Sequence, residues 1–253
     1  MRKRQGFTLI ELLVVISIIA LLMGIMLPIL GRVRKQAQAV ACQAKLRQWG
    51  IGFEAYVGDH DGRMPGYTLE APTWFASRYS WVLSLEAYTT HYEDMLLCPT
   101  ASRRTTDKSA ATPSQFVWWG HHELSMSHVF GSYGYNGWLA ERPYRRLAGR
   151  TGSPVLFDCS SASVLPMHDH DPPEYEGHFE RGLARGFITR VCINRHNGGN
   201  NMLFRDWSVR KIGIKENWIL RWYREFNPAG PWTRAGGVQP EDWPEWMRGF
   251  KDY

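Results

Sequence analysis

The chain has no C-x-x-C pair among its four cysteines, Cys42, Cys98, Cys159 and Cys192, which excludes a zinc ribbon. It also lacks a P-loop, a G-x-S-x-G elbow and an H-E-x-x-H helix, and "HHE" (His121–Glu123) has no partner at ligand spacing. Nothing in the motifs therefore asks for an enzyme. Charge of one sign is scarce: the formal net charge is +6, and Arg2, Lys3 and Arg4 supply half of it. The small remaining excess fits a mixed solvated surface, and no nucleic-acid partner is expected. Disorder is excluded too, because 44% of the residues are hydrophobic and 21% charged. Aromatics, by contrast, are plentiful, with 12 Trp, 11 Tyr and 11 Phe in 253 residues, enough for one sizeable domain or a smaller domain plus a long helix.

The long apolar run lies at the start: "MRKRQGFTLIELLVVISIIALLMGIMLPIL". From Phe7 to Leu30 it reaches roughly 36 Å as a helix, enough to cross a hydrocarbon core of about 30 Å. It is too long for the core of a cleaved secretory signal, and no A-x-A-like site follows closely. A simple anchor fits the length and, with the basic residues kept inside, places the C-terminal bulk outside. Neither explains Glu11, since a charge inside hydrocarbon costs at least about 2.5 kcal/mol and such residues usually have a partner. An even cysteine count behind such a segment permits two disulfides among Cys42, Cys98, Cys159 and Cys192, with three pairings open; free buried thiols are the alternative.

The stretch "KRQGFTLIELLVVISIIALL" resembles the class III signal of type IV pilins and type II secretion pseudopilins: a short basic leader ending in Gly, then Phe-Thr-Leu-Ile-Glu and an apolar helix. The resemblance implies cleavage after Gly6 by a prepilin peptidase and N-methylation of Phe7. It further implies residence in the inner membrane with a periplasmic head, and assembly with other pilin or pseudopilin subunits on an inner-membrane platform. Glu11 then neutralises the Phe7 amine of a neighbouring subunit and sets the register between helices. Pro28 also fits, because pilin helices often carry a proline late in the apolar stretch, where it frees a backbone carbonyl; tolerance of Gly24 and Pro28 in a membrane helix is the plainer account.

Beyond the membrane, "RVRKQAQAVACQAKLRQWGIGFEAYVGDHDG" keeps much of a helical spacing of apolar residues, and "GDHDG" (Gly58–Gly62) stops it. The reading divides the chain into a leader (1–6), a transmembrane assembly helix (7–30), the periplasmic half of the same helix (31–58), a head (63–212) and a Trp-rich tail (213–253). In the head, "WVLSLEAY" (Trp81–Tyr88) reads as a short helix. "SYGYNGWL", "SPVLFDCSS", "ITRVCINRH" and "NNMLFRDWSVRKI" read as strands, with "HNGGNN" as a hairpin turn. The expected class is α+β: a long N-terminal helix packed on a small antiparallel-sheet head, pilin-like.

"RHNGGNNMLFRDWSVRKI" sets His196 ten residues before Asp206 and resembles the H-x9-D-G signature of a planctomycete-type pseudopilin group; "CQAKLRQWGIGFEAYVGDHDGRMP", "LLCPT", "SYGYN" and "VLFD" look like further landmarks of that group. No catalytic role comes with the pair, and His196 and Asp206 are expected to brace two hairpin strands. Trp207 stands where the group has Gly. If that glycine supplies a positive φ, Trp would tolerate it poorly, and the turn after Asp206 is expected to differ.

Two segments remain. "PMHDHDPPEYEGHFERG" (Pro166–Gly182) holds His168, Asp169, His170, Asp171 and His178, a ligand set suited to zinc, with an exposed, proline-fixed turn as the alternative. No cofactor is required by the reading. Calcium enters only through the resemblance, since some major pseudopilins bind it in the head; "DHDG" (Asp59–Gly62) has Arg63 where a ligand would stand and reads as the helix-ending turn. In the tail, Trp218 and Trp222 share a face of an expected helix, and Trp243 and Trp246 lie three apart after Glu241 and Asp242. The indoles can cap the core of the head, meet neighbouring subunits, or stack on sugars. The leading reading is a structural filament subunit. The rivals are an anchored glycan-binding or adhesin-like module and, behind it, an anchored enzyme using a metal at residues 168–178.

Overall fold

The apolar start and its polar continuation form one helix, α1 (Leu9–Asp59). A computed structural model describes residues 9–66, 80–90, 92–101, 119–120, 130–140, 152–178 and 188–253; Gly6, Phe7 and His121–Glu123 lie outside them. The two halves of α1 are physically different. From Leu9 to Leu30 every side chain is exposed, including a run of large aliphatics such as Leu9, Ile16, Leu21 and Leu27. In the second half, Cys42, Leu46, Trp49, Phe53 and Val57 are buried, spaced three or four apart as one helical stripe. Pro28 lies inside α1, which stays helical through it while giving up the hydrogen bond to the Gly24 carbonyl. The helix stops at Asp59, where Asp61 (φ 51°) and Gly62 (φ 73°) turn the chain in the left-handed region.

Two short helices follow, α2 (Ser80–Glu86) and α3 (Tyr92–Met95), and a minimal ladder pairs β1 (Trp119–Gly120) with β2 (Phe130–Gly131). The main sheet comprises β3 (Tyr133–Asn136), β4 (Pro154–Asp158), β5 (Ser163–Val164), β6 (Gly199–Phe204) and β7 (Val209–Gly213), ordered β5-β3-β4-β6-β7. β3, β4, β6 and β7 are antiparallel neighbours, but β5 joins β3 in parallel, so the sheet is mixed. Alternation along the strands sorts the two faces. Leu156 and Leu203 pack with Trp49 and Phe53 of α1 on one face; Phe157, Met202, Phe204 and Trp222 pack on the other. The helix docks closely because residue 50 is glycine: a Cβ there would lie 3.0 Å from Leu203 Cδ1. Polar ties reinforce the contact, with Trp49 Nε1 donating to the Met95 carbonyl (3.1 Å) and Lys45 Nζ to the Asp94 carbonyl (2.6 Å).

The hairpin falls elsewhere than the "HNGGNN" signal suggests. It joins β6 to β7 across Arg205–Ser208, with Leu203 opposite Val209. "ITRVCINRH" is a 3-10 turn (Ile188–Arg190) and irregular backbone, not a strand. The cause is lateral: Arg195 and His196 are drawn inward to Asp158, and the Asn200 side chain takes the Val191 carbonyl that a ladder would have used. Asn197 (φ 51°) and Gly198 (φ 87°) then bend the chain into β6. Trp207 adopts a left-handed conformation (φ 61°) of the kind that favours glycine, so the fold accommodates the indole at a positive-φ position. Its ring stacks with Phe53 of α1, centroids 6.3 Å apart.

The C-terminal residues wrap the face of the sheet opposite α1. Trp218, Trp243 and Met247 are buried with Ile188, Cys192 and Ile214. The helix expected through Trp218–Trp222 is only a 3-10 turn, Ile214–Trp218, and the second is split into Pro240–Asp242 and Glu245–Met247 around Pro244. Lys215 fastens the end of the chain, pairing with Asp252 (2.6 Å) beneath the Trp243 ring.

Candidate functional site

Two features stand out above the fold: the exposed apolar stem and a buried polar cluster at its base. On the stem, Glu11 lies in the first turn of the described helix and is exposed; Pro28 sits near the end of the apolar stretch. Gly6 and Phe7 precede the described residues. Among those residues α1 is the one helix long and apolar enough to cross a membrane.

The cluster begins with Asp158, the last residue of β4, at zero exposure. A buried carboxylate needs charge and donors, and it has both. Arg195 donates to Oδ1 at 2.8 Å, His196 Nε2 lies 3.0 Å from Oδ2, and the Asn201 N–H donates to Oδ2 at 2.9 Å. Burial opposes the ionised form, but Arg195 and His196 outweigh it and hold the carboxyl well below the usual range. Two thiols close the cluster. Cys42 comes from α1 and faces both carboxylate oxygens at 3.8 and 3.7 Å; Cys98, from the loop after α3, lies 3.4 Å from His196 Nε2. Tyr133 O–H donates to Cys42 Sγ (3.2 Å), and Thr100 Oγ1 meets Cys98 Sγ at 2.9 Å. Ligand atoms of Cys42, Cys98, Asp158 and His196 all fall within 4.8 Å of one another.

The two thiols are not equivalent. Burial works against the Cys98 thiolate, but hydrogen bonds from Cys42 and His196 and the charge of Arg195 bring it down to about 6. Burial, followed by the bond to Cys98 and the charge of Asp158, pushes Cys42 well above its ordinary value. Burial alone would lower His196, yet its bonds to Asp158 and Cys98 raise it to about 9. This is not a catalytic relay. A Cys–His–Asp relay engages the two ring nitrogens separately, whereas here both partners meet Nε2, and Nδ1 is buried without a hydrogen bond among the described residues.

The other sequence-predicted positions separate. His196 and Asp206 do not meet: Asp206 is exposed in the β6–β7 turn, accepting from the Ser208 N–H (3.0 Å) and Oγ (2.6 Å). In the 166–178 loop, His168 Nδ1 meets Tyr223 O–H at 3.0 Å, His170 Nδ1 accepts from the Met167 N–H at 3.1 Å, and Asp171 accepts from Trp232 Nε1 at 3.3 Å. Asp169 lies between them in the same turn. These groups go to different partners, several of them in the C-terminal segment. All four cysteines are buried free thiols; burial lifts Cys159 to about 12 and Cys192 well above its usual value, which makes both inert.

Asp158 carried a sequence signal: an acid closing an apolar strand, "PVLFD", beside cysteines in apolar runs. Its convergence with Cys42, Cys98 and His196 had none, since the four residues lie in four separate segments.

Residues 1–27 match the family described as the prokaryotic N-terminal methylation motif. The ComG operon protein 3 homolog of Bacillus licheniformis is 36% identical over 63 residues, which is 25% of this chain; the match spans 65% of that relative's length. No solved structure matches the chain. The motif, this relative and the arrangement of a long apolar helix on a small sheet head support a type IV pilin-like protein.

Proposed function

We propose that the chain is a filament subunit of a type II secretion or type IV pilus system, cut after Gly6 by a prepilin peptidase and methylated at Phe7. The observation that carries this reading is the methylation motif on residues 1–27 running into a stem whose aliphatic side chains are exposed on every side. Such a surface needs lipid or other apolar helices around it. The stem enters the inner membrane with the head on the periplasmic side, and assembly transfers it from lipid to a bundle of neighbouring stems. Cutting after Gly6 removes Arg2, Lys3 and Arg4 and creates an amine at Phe7, which Glu11 of the next subunit neutralises. In that setting an unpaired ion is costly, so the pair selects one register. The spacing of His196 and Asp206 supports reading the head as one of the planctomycete-type H-x9-D-G group.

A glycan-binding module would want an exposed aromatic strip, and the burial of Trp218, Trp222 and Trp243 speaks against one. The experiment is Glu11→Ala in a host with an active peptidase: leader removal is unchanged, while filament assembly or methylation is impaired. Normal, methylated filaments from that variant would overturn the role given to Glu11.

A further inference from the structure

We infer that Cys42, Cys98, Asp158 and His196 form a structural zinc site that clamps the stem helix to the head. The four ligand atoms lie close enough together for a tetrahedral site to form with modest shifts. Zinc bonds of about 2.0–2.3 Å imply ligand–ligand edges of about 3.3–3.8 Å. Cys98 Sγ to His196 Nε2 is 3.4 Å, Cys42 Sγ to Asp158 Oδ2 is 3.7 Å, and His196 Nε2 to Asp158 Oδ2 is 3.0 Å, while the remaining pairs, all within 4.8 Å, need to close by up to about 1 Å around an ion. Two thiolates, one imidazole and one carboxylate suit zinc; calcium and magnesium prefer oxygen alone.

The surroundings support three of the four ligands, Cys42, Cys98 and Asp158. Tyr133 O–H donates to one sulfur and Thr100 lies against the other, while Arg195 and the Asn201 N–H orient the carboxylate. The charge closes as well: Zn2+ with two thiolates, one carboxylate and the Arg195 guanidinium sums to zero. Binding releases two protons, one from Cys42 and one held by the Cys98–His196 pair, so the buried site is neutral before and after. Arg195 and His196 also line a cleft of about 1190 Å3 between α1 and the head, which leaves the cluster one side chain from solvent. The ligands come from α1, the loop after α3, the end of β4 and the turn before β6, so one ion joins four segments that are remote in sequence. The site stands apart from the filament reading, and its failure would leave that reading untouched.

The test uses the full-length protein in mild detergent under reducing conditions. The metal content of the wild type is expected at about one zinc per chain. Replacement by Co2+ should bring thiolate-to-cobalt charge-transfer bands in the near ultraviolet. Tyr133→Phe, which keeps all four ligands, should weaken zinc affinity about 10–100-fold. Cys98→Ser with His196→Ala should abolish retention, and Cys192→Ala should keep it. Should the ligand variants fail to fold, the wild-type zinc content and the cobalt spectrum decide the matter. A wild-type chain that neither carries zinc nor takes up Co2+ would overturn the proposal. So would zinc retained by a folded double variant, or a Cys42–Cys98 disulfide in the native protein, seen as a cross-linked peptide pair in a non-reducing digest.

Discussion

At the scale of single residues, Trp207 and Asp158 show how far the sequence can be read. The position after Asp206 could be marked as one that favours glycine, and Trp207 does hold φ 61° there, a conformation costing a side chain about 1–3 kcal/mol. What local sequence could not show is the compensation, because the stacking partner Phe53 lies on another element. Trp207→Gly should therefore be nearly neutral, trading relieved strain against lost packing. Trp207→Val, which keeps the strain and loses the ring, should cost about 2 kcal/mol or more in a urea melt. Equal effects of the two would contradict this account. Asp158 is the reverse case: its acid was visible, but its role was not, because Arg195 and His196 reach it only once β4 and β6 are paired. Asp158→Ala strands a buried guanidinium and should destabilise the head by about 3–5 kcal/mol, read as a lower urea midpoint.

The element best read in advance is α1. Its apolar run, the helical spacing beyond that run and the "GDHDG" stop are local signals, and the helix ends at Asp59 as they imply. The small sheet was harder. "PVLFD" announced its strand, but the hairpin at Arg205–Ser208 was displaced from the stronger-looking "HNGGNN" because side-chain demands around Asp158 outweighed local turn propensity. β5 pairs in parallel through a contact no short pattern encodes. Docking of α1 depends on Gly50 lying against Leu203. Gly50→Val should therefore force the helix off the sheet at a cost of about 1–3 kcal/mol. Trp49→Ala empties the same interface and should cost about 3–5 kcal/mol. Both are checked by denaturation of the detergent-solubilised protein, with the far-ultraviolet helix signal of the stem retained.

On the scale of the whole molecule, the chain is a stem and a layered head: α1 on one face of the sheet, the C-terminal wrap on the other. Part of the aromatic richness that stood out in composition goes into this wrap, where Trp218 meets Trp243 edge to face at 5.2 Å and donates from Nε1 to the His170 carbonyl. Trp218→Ala should loosen the wrap and the 166–178 loop together, seen as faster amide exchange in both; a change confined to one would separate them. Among the described residues the head buries its large apolar side chains almost entirely, while the stem is left apolar on its surface from Leu9 to Leu30. That contrast is the physical argument for a processed, assembling subunit, and intact-mass analysis of the native protein tests it most directly. The account predicts a chain lacking Met1–Gly6 and carrying one added methyl group at Phe7. A chain that keeps Met1–Gly6 in a host with an active prepilin peptidase would contradict it.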